Sequence, residues 1–540
     1  MDMDMETFDY VVIGGGAGGC VVAGRLSEDP NVTVCLLEAG NDGTGGWIRA
    51  PMGFAASVPH GINSWHYDTV PQPNLKGRRG FQPRGKALGG STAINAMVYS
   101  RGHRSDYDGW ARAGNPGWNY AEVLPYFRKS ECNANFTDPE YHGVDGPLHV
   151  MQLESRSAMG EVFLNACESV GIPRNPDYNG AQHHGCMHFQ GYVKGGERCS
   201  ASKAFIEPNL SRPNLKVVTH AHVSKLLLQG RRANGAEFIQ DKQTRQVTAR
   251  REVVLAAGAY GSPQLLMLSG IGPAAHLQAL AIPVVLNSPG VGQNLQDHVN
   301  ALLNYRSPGN LETFGVSLKG VARLVSAIFE WRRQRTGRIT SFISEAGAYF
   351  RTTPEAEFDD ISMQFVVGMA VDHARKLQLG HGYCAHVTLA RPRSIGEMTL
   401  ASPDSRTMPL INPRYFSDPY DIATLVKGTQ MALDILEAPT FAPYRGKMVH
   451  AYHRNDPLQI EDQLRNYSDT EYHPCGTCRM GPDTDPMAVV DAQLRVKGME
   501  GLRVADASIF PRITTNNTQA PTVMVGEKCA DMMRAASRSH

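Results

Sequence analysis

The ten residues 473–482, HPCGTCRMGP, bring one histidine, two cysteines and an arginine close together. Three chemistries are open to such a stretch. His473, Cys475 and Cys478 are three ligands of the kinds zinc takes. Cys475-x-x-Cys478 has the spacing of a dithiol redox pair. His473 alone is a proton acceptor whose partners lie elsewhere in the chain. The choice depends on the elements that position the stretch and on what the rest of the chain binds.

At 540 residues the chain is too long for one simple core, and two domains are expected. Lys and Arg number 53 against 52 Asp and Glu, so no basic field draws in nucleic acid. The 54 Gly and 33 Pro are scattered through apolar segments, which points to ordered turns rather than disorder. Ten Cys suit a reduced, intracellular protein. The opening MDMDMETFDY lacks the basic-then-apolar order of a signal peptide, and no run reaches the roughly 18 apolar residues of a membrane span. A cytoplasmic location is therefore expected. In 320–337, Val321, Leu324, Val325 and Ile328 recur at helical spacing and Arg332, Arg333 and Arg335 follow. This predicts a helix packed on the protein's own core with a basic last turn; peripheral contact with a membrane is the other reading.

YVVIGGGAGGCVVAGRL starts as a short apolar strand, turns at Gly14, Gly16 and Gly19, and continues as a helix through Leu26. Gly14 permits the tight turn, Gly16 lets the backbone approach a pyrophosphate, and Gly19 lets the helix pack on the strand. The helix N-terminus offers free N–H groups to phosphate. A second strand, VTVCLL, ends at Glu38, about 20 residues on, where a carboxylate accepts from ribose hydroxyls. That argues against a 2′-phosphate, and glycines alone leave NAD and FAD both open.

Three further stretches share this character. In 83–102, Gly89, Gly90, Ser91 and Thr92 let the backbone lie against a planar ligand, while Asn95 either ties down the loop or contacts the cofactor. In 251–273 a strand at Val253–Ala256 leads to Gly258 and Gly261, and Ser262-Pro263 reads as a helix cap and first helical position. In 502–533 a short strand, Leu502–Val504, precedes Asp506, the polar turn TTNNTQAP and a helix from about Thr522. Strand–turn–helix units of this kind build a parallel sheet covered by helices.

Taken with GKALGGSTAIN, GSPQLLMLSGIG, HPCGTCRMG and DASIFPRITTNNTQAP, these motifs resemble those of the glucose–methanol–choline (GMC) family of FAD-dependent oxidoreductases, from about Asp9 to Met533. INAMVYSRGHRSDYDGW and GVGQNLQDH look most like the bacterial alcohol and choline dehydrogenases. The resemblance implies an α/β fold. Its Rossmann-like FAD domain is assembled from 1–155, 212–303 and 470–540. A substrate domain follows from 156–211 and 304–469, with an antiparallel sheet backed by helices. Strands are expected at 361–367, 382–390 and 396–401, with a helix at 421–438 behind them. The resemblance further implies His473 as catalytic base and Asn517 as its partner, with neighbouring Asn516 the lesser alternative. Ala17, Gly18, Ala39, Ala96, Val223, Ala257, Asp506, Ala507 and Asn517 join the glycines, Glu38, Thr92 and Asn95 around the cofactor. Some relatives attach FAD through a histidine at the position of Ile94, so a non-covalent flavin is implied.

On this reading His473 removes the hydroxyl proton as hydride leaves the carbon, metal is not needed, and Cys475 and Cys478 pack the loop. The implied reaction takes a primary or activated alcohol to an aldehyde and passes electrons to a quinone, another carrier or oxygen. An oxygen-using oxidase of the same family is the alternative, a redox-inert FAD-containing lyase a lesser one. No aromatic cage for a quaternary ammonium is evident, and Glu345 reads as structural.

Overall fold

The computed structural model describes residues 6–154 and 156–538. The first residues of the acidic opening, 1–5, lie outside them. Two large sheets organise the chain. In the first, the strands run in the order Leu215–Val218, Val34–Leu37, Glu6–Ile13, Gln243–Leu255, Arg232–Gln240 and His222–Gln229. Leu502–Val504 also pairs with Gln243–Leu255, in parallel. The four strands Leu215–Val218, Val34–Leu37, Glu6–Ile13 and Gln243–Leu255 are mutually parallel, and the remaining two form an antiparallel extension.

The parallel core follows from its sequence. Tyr10–Ile13 and Val34–Leu37 are continuous apolar runs buried on both faces. The chain leaves the first strand at Gly14, whose φ of +101° is open to glycine. The helix Ala17–Leu26 then packs back with almost no clearance. A Cβ on Gly18 would stand 1.9 Å from the Ala505 carbonyl oxygen, and one on Gly19 would stand 1.9 Å from that of Gly14. The C-terminal helix Gln519–Arg538 lies on this helix, and Arg25 clamps the buried Glu527 at 2.8 Å.

The second sheet is antiparallel: Asp469–Thr470, Val299–Arg306, Gly380–Leu389, Ile361–Val366, Ser344–Phe350 and Gly185–His188. The helices Pro419–Leu436 and Met159–Ser169 back it and close a separate apolar core. Two of the three strands expected here are present. The third, Gly396–Thr399, belongs instead to a three-stranded sheet with Gln293–Leu295 and Leu410–Asn412. The strand Val299–Arg306 spans residue 303, and the helical turn Ser202–Ile206 packs on Ala17–Leu26 with Phe205 and Ile206 in the first core.

Two local expectations are corrected. The helix after Gln243–Leu255 starts at Gly258, a turn before Ser262-Pro263. Pro263 has no N–H for the carbonyl of Ala259, and the Thr477 hydroxyl donates to that carbonyl instead, at 2.6 Å. Ser262 acts from within the helix, its Oγ accepting from Ala257 N–H at 3.0 Å. Second, the helix Leu318–Gln334 forms where helical spacing places one, yet Val321, Val325 and Ile328 face outward, and Leu324, at the edge between the outer row and the cavity, stays exposed as well. Only Ala327 and Trp331 are buried, against Ile339 and Met52. Apolar periodicity marks a face, not the direction it points.

The close seat of the first helix has a measurable consequence. Gly18→Ala drives its Cβ into Ala505, and denaturant melts of the holoenzyme should show a loss of about 1–3 kcal/mol. A variant as stable as the parent would show that the helix and the 505–507 turn do not bear on one another.

Candidate active site

A cavity of about 740 Å³ runs between the two sheets. Glu38, Ala39 and Val223 line its outer end. Gly14, Gly16, Ala17, Gly18, Gly90, Thr92, Asn95, Ala96, Ala257, Asp506 and Ala507 line its length, and His473 and Asn517 are at the other end. Two expected contacts are displaced. Gly19 lies behind the turn, pressed on Gly14, and Gly89 docks the 83–102 loop by donating its N–H to Gly15 at 2.7 Å. Both shape the cradle without lining it. Asn95 ties the loop and lines the cavity at once: its Nδ2 donates to Gln519 at 2.7 Å and its Oδ1 accepts from Arg198 at 2.8 Å.

His473 stands on a bulge. Val299 pairs with Thr470, but Gln296 bridges Cys475, so three steps on one strand face five on the other. Tyr472 takes up the excess with a left-handed φ of +70°. The strained turn is held at several points. The His473 N–H donates to Asp297 at 2.9 Å, Tyr472 N–H donates to the Thr470 hydroxyl at 2.7 Å, and Arg84 donates to the Tyr472 carbonyl at 2.7 Å. Asp297 also accepts from the Thr470 hydroxyl at 2.6 Å; burial pushes its carboxyl up to about 6 despite these bonds.

The ring contacts determine which nitrogen carries the proton. His298 Nε2 lies 3.1 Å from the carbonyl oxygen of Ala390, which only accepts, so Nε2 is the donor. Burial lowers the His298 pKa to about 4, which keeps the ring neutral and leaves Nδ1 an acceptor. His473 Nδ1, 2.9 Å away, must therefore donate to it. The lone pair of His473 is then on Nε2, where the Asn517 amide Nδ2 stands at 3.0 Å. Burial, with lesser contributions from His298 and Arg84, pushes His473 down to about 3, well below the ordinary imidazole value of about 6.5. The ring is thus a neutral base with a directed lone pair.

Sequence reading left Asn516 and Asn517 hard to separate; their contacts differ. Asn516 points away, its Nδ2 at 3.0 Å from Ser100 and 2.7 Å from His183. Cys475 and Cys478 are buried free thiols in the first core, raised well above the ordinary thiol range by burial. Glu345 lies off the cavity, accepting from Ser157 N–H at 2.7 Å and from the Ser341 hydroxyl at 2.6 Å.

Motif reading missed three groups at this end: His298, Glu471 and His386. His298 is 175 residues from its partner in sequence. Glu471, two residues before His473, lines the cavity and meets His386 at 3.0 Å and the Asn300 amide. Burial is the largest single influence and pushes the Glu471 carboxyl up, but the charge and hydrogen bond of His386, with His473 and the Asn300 amide, together outweigh it and hold it at about 2. Burial works to lower His386, and Glu471 raises it well above 6.5. The pair is ionised, and its charges cancel within the wall.

The cradle suits a flavin dinucleotide. A Cβ on Gly14 would meet the Ala256 carbonyl oxygen at 2.4 Å, and one on Gly90 would meet Gly16 Cα at 2.7 Å, so the backbones converge as a dinucleotide requires. Gly16 caps the helix without a side-chain bond, leaving the first N–H groups for phosphate. Glu38 accepts from Gly15 N–H at 2.9 Å and Gly40 N–H at 2.7 Å, and a carboxylate retains lone pairs for ribose hydroxyls. Gln519 lines the cavity with a buried Nε2 that has no partner among the described residues.

A dinucleotide cradle leading to a neutral, oriented imidazole is the framework of a dinucleotide-dependent oxidoreductase. Residues 8–300 and 392–526 match the two parts of the GMC oxidoreductase family, to which the chain belongs, and its cofactor is FAD. Alcohol dehydrogenase [acceptor] of Pseudomonas putida is 39% identical over 533 residues, 97% of this chain and 95% of that one. Mitochondrial choline dehydrogenase of Mus musculus is 40% identical over 540 residues, covering 98% and 90%. Among solved structures, a formate oxidase of Aspergillus oryzae RIB40 superposes with a TM-score of 0.92 at 28% identity, covering 99% of this chain and 100% of its own. Pyridoxine 4-oxidase from Mesorbium loti gives 0.87 at 30%, covering 98% and 99%.

The buried pair carries a signed pH dependence. Glu471 has a folded pKa below its unfolded one, so its stabilisation is present above about pH 4.5 and is lost as pH falls through about 2. Glu471→Gln removes the charge that holds His386 protonated, so the ring gives up its proton and the pair is lost, which should cost about 1–3 kcal/mol at pH 7. That gap should narrow in denaturant melts as the medium is acidified below pH 4.5; a gap independent of pH would remove the ionised pair from the account.

Proposed function

We propose that the protein oxidises an uncharged primary or activated alcohol to an aldehyde, with His473 as base and Asn517 as its partner. One observation carries this: a neutral imidazole whose Nε2 lone pair points to the Asn517 amide, 3.0 Å away, at the inner end of the cofactor cavity. FAD in the cradle supplies the hydride acceptor. Every other part of the reaction falls to the chain. His473 Nε2 accepts the hydroxyl proton, without which the oxygen cannot become a carbonyl as hydride departs. Asn517 Nδ2 donates to the substrate oxygen and orients the carbon that reacts. The Glu471 carboxylate favours the imidazolium that results, since its charge acts to raise the His473 pKa. Burial keeps water from competing for the lone pair.

The named relatives include both alcohol and choline dehydrogenases. An uncharged alcohol is favoured here because Glu471, the carboxylate at the inner end, is already matched by His386. Phe342, Val366 and Met369 make the neighbouring wall apolar. The flavin is held without a covalent bond, since the buried Ile94 on the cavity wall has no nucleophile. In this proposal 156–211 and 304–469 shape the substrate side and the remaining segments hold FAD. The electron acceptor is a quinone or another carrier, as in a dehydrogenase. The ten free thiols suit a reducing, cytoplasmic location.

Anaerobic addition of a primary alcohol should bleach the flavin, and acid precipitation should release FAD into the supernatant. His473→Ala should lower kcat by about 10²–10⁴-fold with FAD retained. Because His473 is depressed to about 3, it stays unprotonated as pH falls from about 8 to about 5, and kcat/KM should hold across that window. An acid limb near 6.5 that disappears in the His473 variant would contradict the depressed pKa. Retained turnover in His473→Ala would contradict the role.

A further inference from the structure

The helix Leu318–Gln334 has two sides with different duties. Its inner side closes the cavity, with Gly320, Leu324 and Ala327 among the lining residues. Its outer side is apolar and open. Leu318 is 94% exposed, Phe329 61%, Val321 50% and Val325 47%. Val316, just before the helix, bridges Leu379, and the loop reaching it adds Leu379 at 66% and Leu377 at 71% exposed. Single exposed apolar residues are ordinary, but a joined set along a helix of about 25 Å is not. The flanks of the face are basic. Lys319, Arg332 and Arg333 have no ion pair among the described residues, and Glu330 is the single acidic residue of the helix.

We propose that this face docks on an anionic lipid bilayer, seating the apolar row at the level of the acyl chains with the basic residues among the headgroups. Charge selects that occupant over a second copy of the chain. Two copies packed face to face about a twofold axis with antiparallel helices would set Arg332 and Arg333 of one against Lys319 of the other, all unpaired. An anionic headgroup layer satisfies the same cations, and the amphipathic arrangement is that of an interfacial helix. No helix among the described residues is long and apolar enough to cross a membrane, so the attachment is peripheral. Since the helix also walls the cavity, docking places the lipid phase beside that wall. Apolar alcohols and quinones concentrate there, an advantage that rests on the proposed function, while the docking itself does not.

The test uses the full FAD-loaded chain and vesicles of phosphatidylcholine, alone or in equimolar mixture with phosphatidylglycerol. Sedimentation with the mixed vesicles is expected, at least about tenfold weaker with phosphatidylcholine alone and weakened by salt. Val325→Asp/Phe329→Asp should reduce binding at least about tenfold, and Arg332→Glu/Arg333→Glu should remove the preference for the anionic lipid. Both variants should keep the flavin spectrum and turnover of a water-soluble alcohol, which separates failed docking from a failed active site. Parent protein that stays in the supernatant, or sediments no better than the Val325/Phe329 variant, overturns the proposal. So does light scattering that shows a dimer in the parent and a monomer in that variant, since the face would then join copies of the chain.

Discussion

The hydrogen bond between the δ nitrogens of His298 and His473 is the constraint on which the site depends. Two neutral imidazoles can share one proton across such a contact only if one donates and the other accepts. The Ala390 carbonyl settles His298, and His298 in turn settles His473. Everything chemical at the inner end follows from that assignment. With the opposite tautomer, Nε2 would carry a proton, and Asn517 would face a donor with a donor. Asn517 alone could not set the tautomer, because its amide offers both roles.

The two sheets are arranged to supply this contact. His298 immediately precedes the strand Val299–Arg306, and Ala390 immediately follows Gly380–Leu389, neighbours in the antiparallel sheet. His473 comes from the bulge that joins this sheet to the nucleotide-binding half, and its loop is tied there by Thr477 to Ala259 and by Cys478 to Ser508. The proposed base is therefore placed by both cores at once. Burial has a cost, because the low dielectric that keeps both histidines neutral also penalises Asp297, Glu471 and His386. Asp297 is met by hydroxyl and amide donors, and the other two meet each other. A buried ion pair of this kind adds little net stability, but losing one member is expensive, so it holds the wall in one arrangement.

Much of the nucleotide half was legible because its physics is local. A strand, three glycines at fixed spacing and a carboxylate at the next strand end describe one contiguous unit, and the structure builds it at Gly14–Leu26 and Glu38. The same reading took Gly19 and Gly89 as contacts, where each serves backbone packing one layer behind. The base site was legible only as far as its motif. Nothing local pairs His298 with His473, or Glu471 with His386, since strand register brings them together. Ser262-Pro263 looked like a helix start because the hydroxyl that satisfies Ala259 comes from residue 477. The helix at 318–334 was visible as a periodic pattern, while its outward orientation depends on what the rest of the chain leaves uncovered.

The tautomer of His473 is the most direct test of the account. Neutron diffraction from crystals of the holoenzyme exchanged into heavy water would locate the proton. The account requires deuterium on Nδ1 of His473 and on Nε2 of His298, with His473 Nε2 bare. Deuterium on His473 Nε2, or on both nitrogens of that ring, would contradict it.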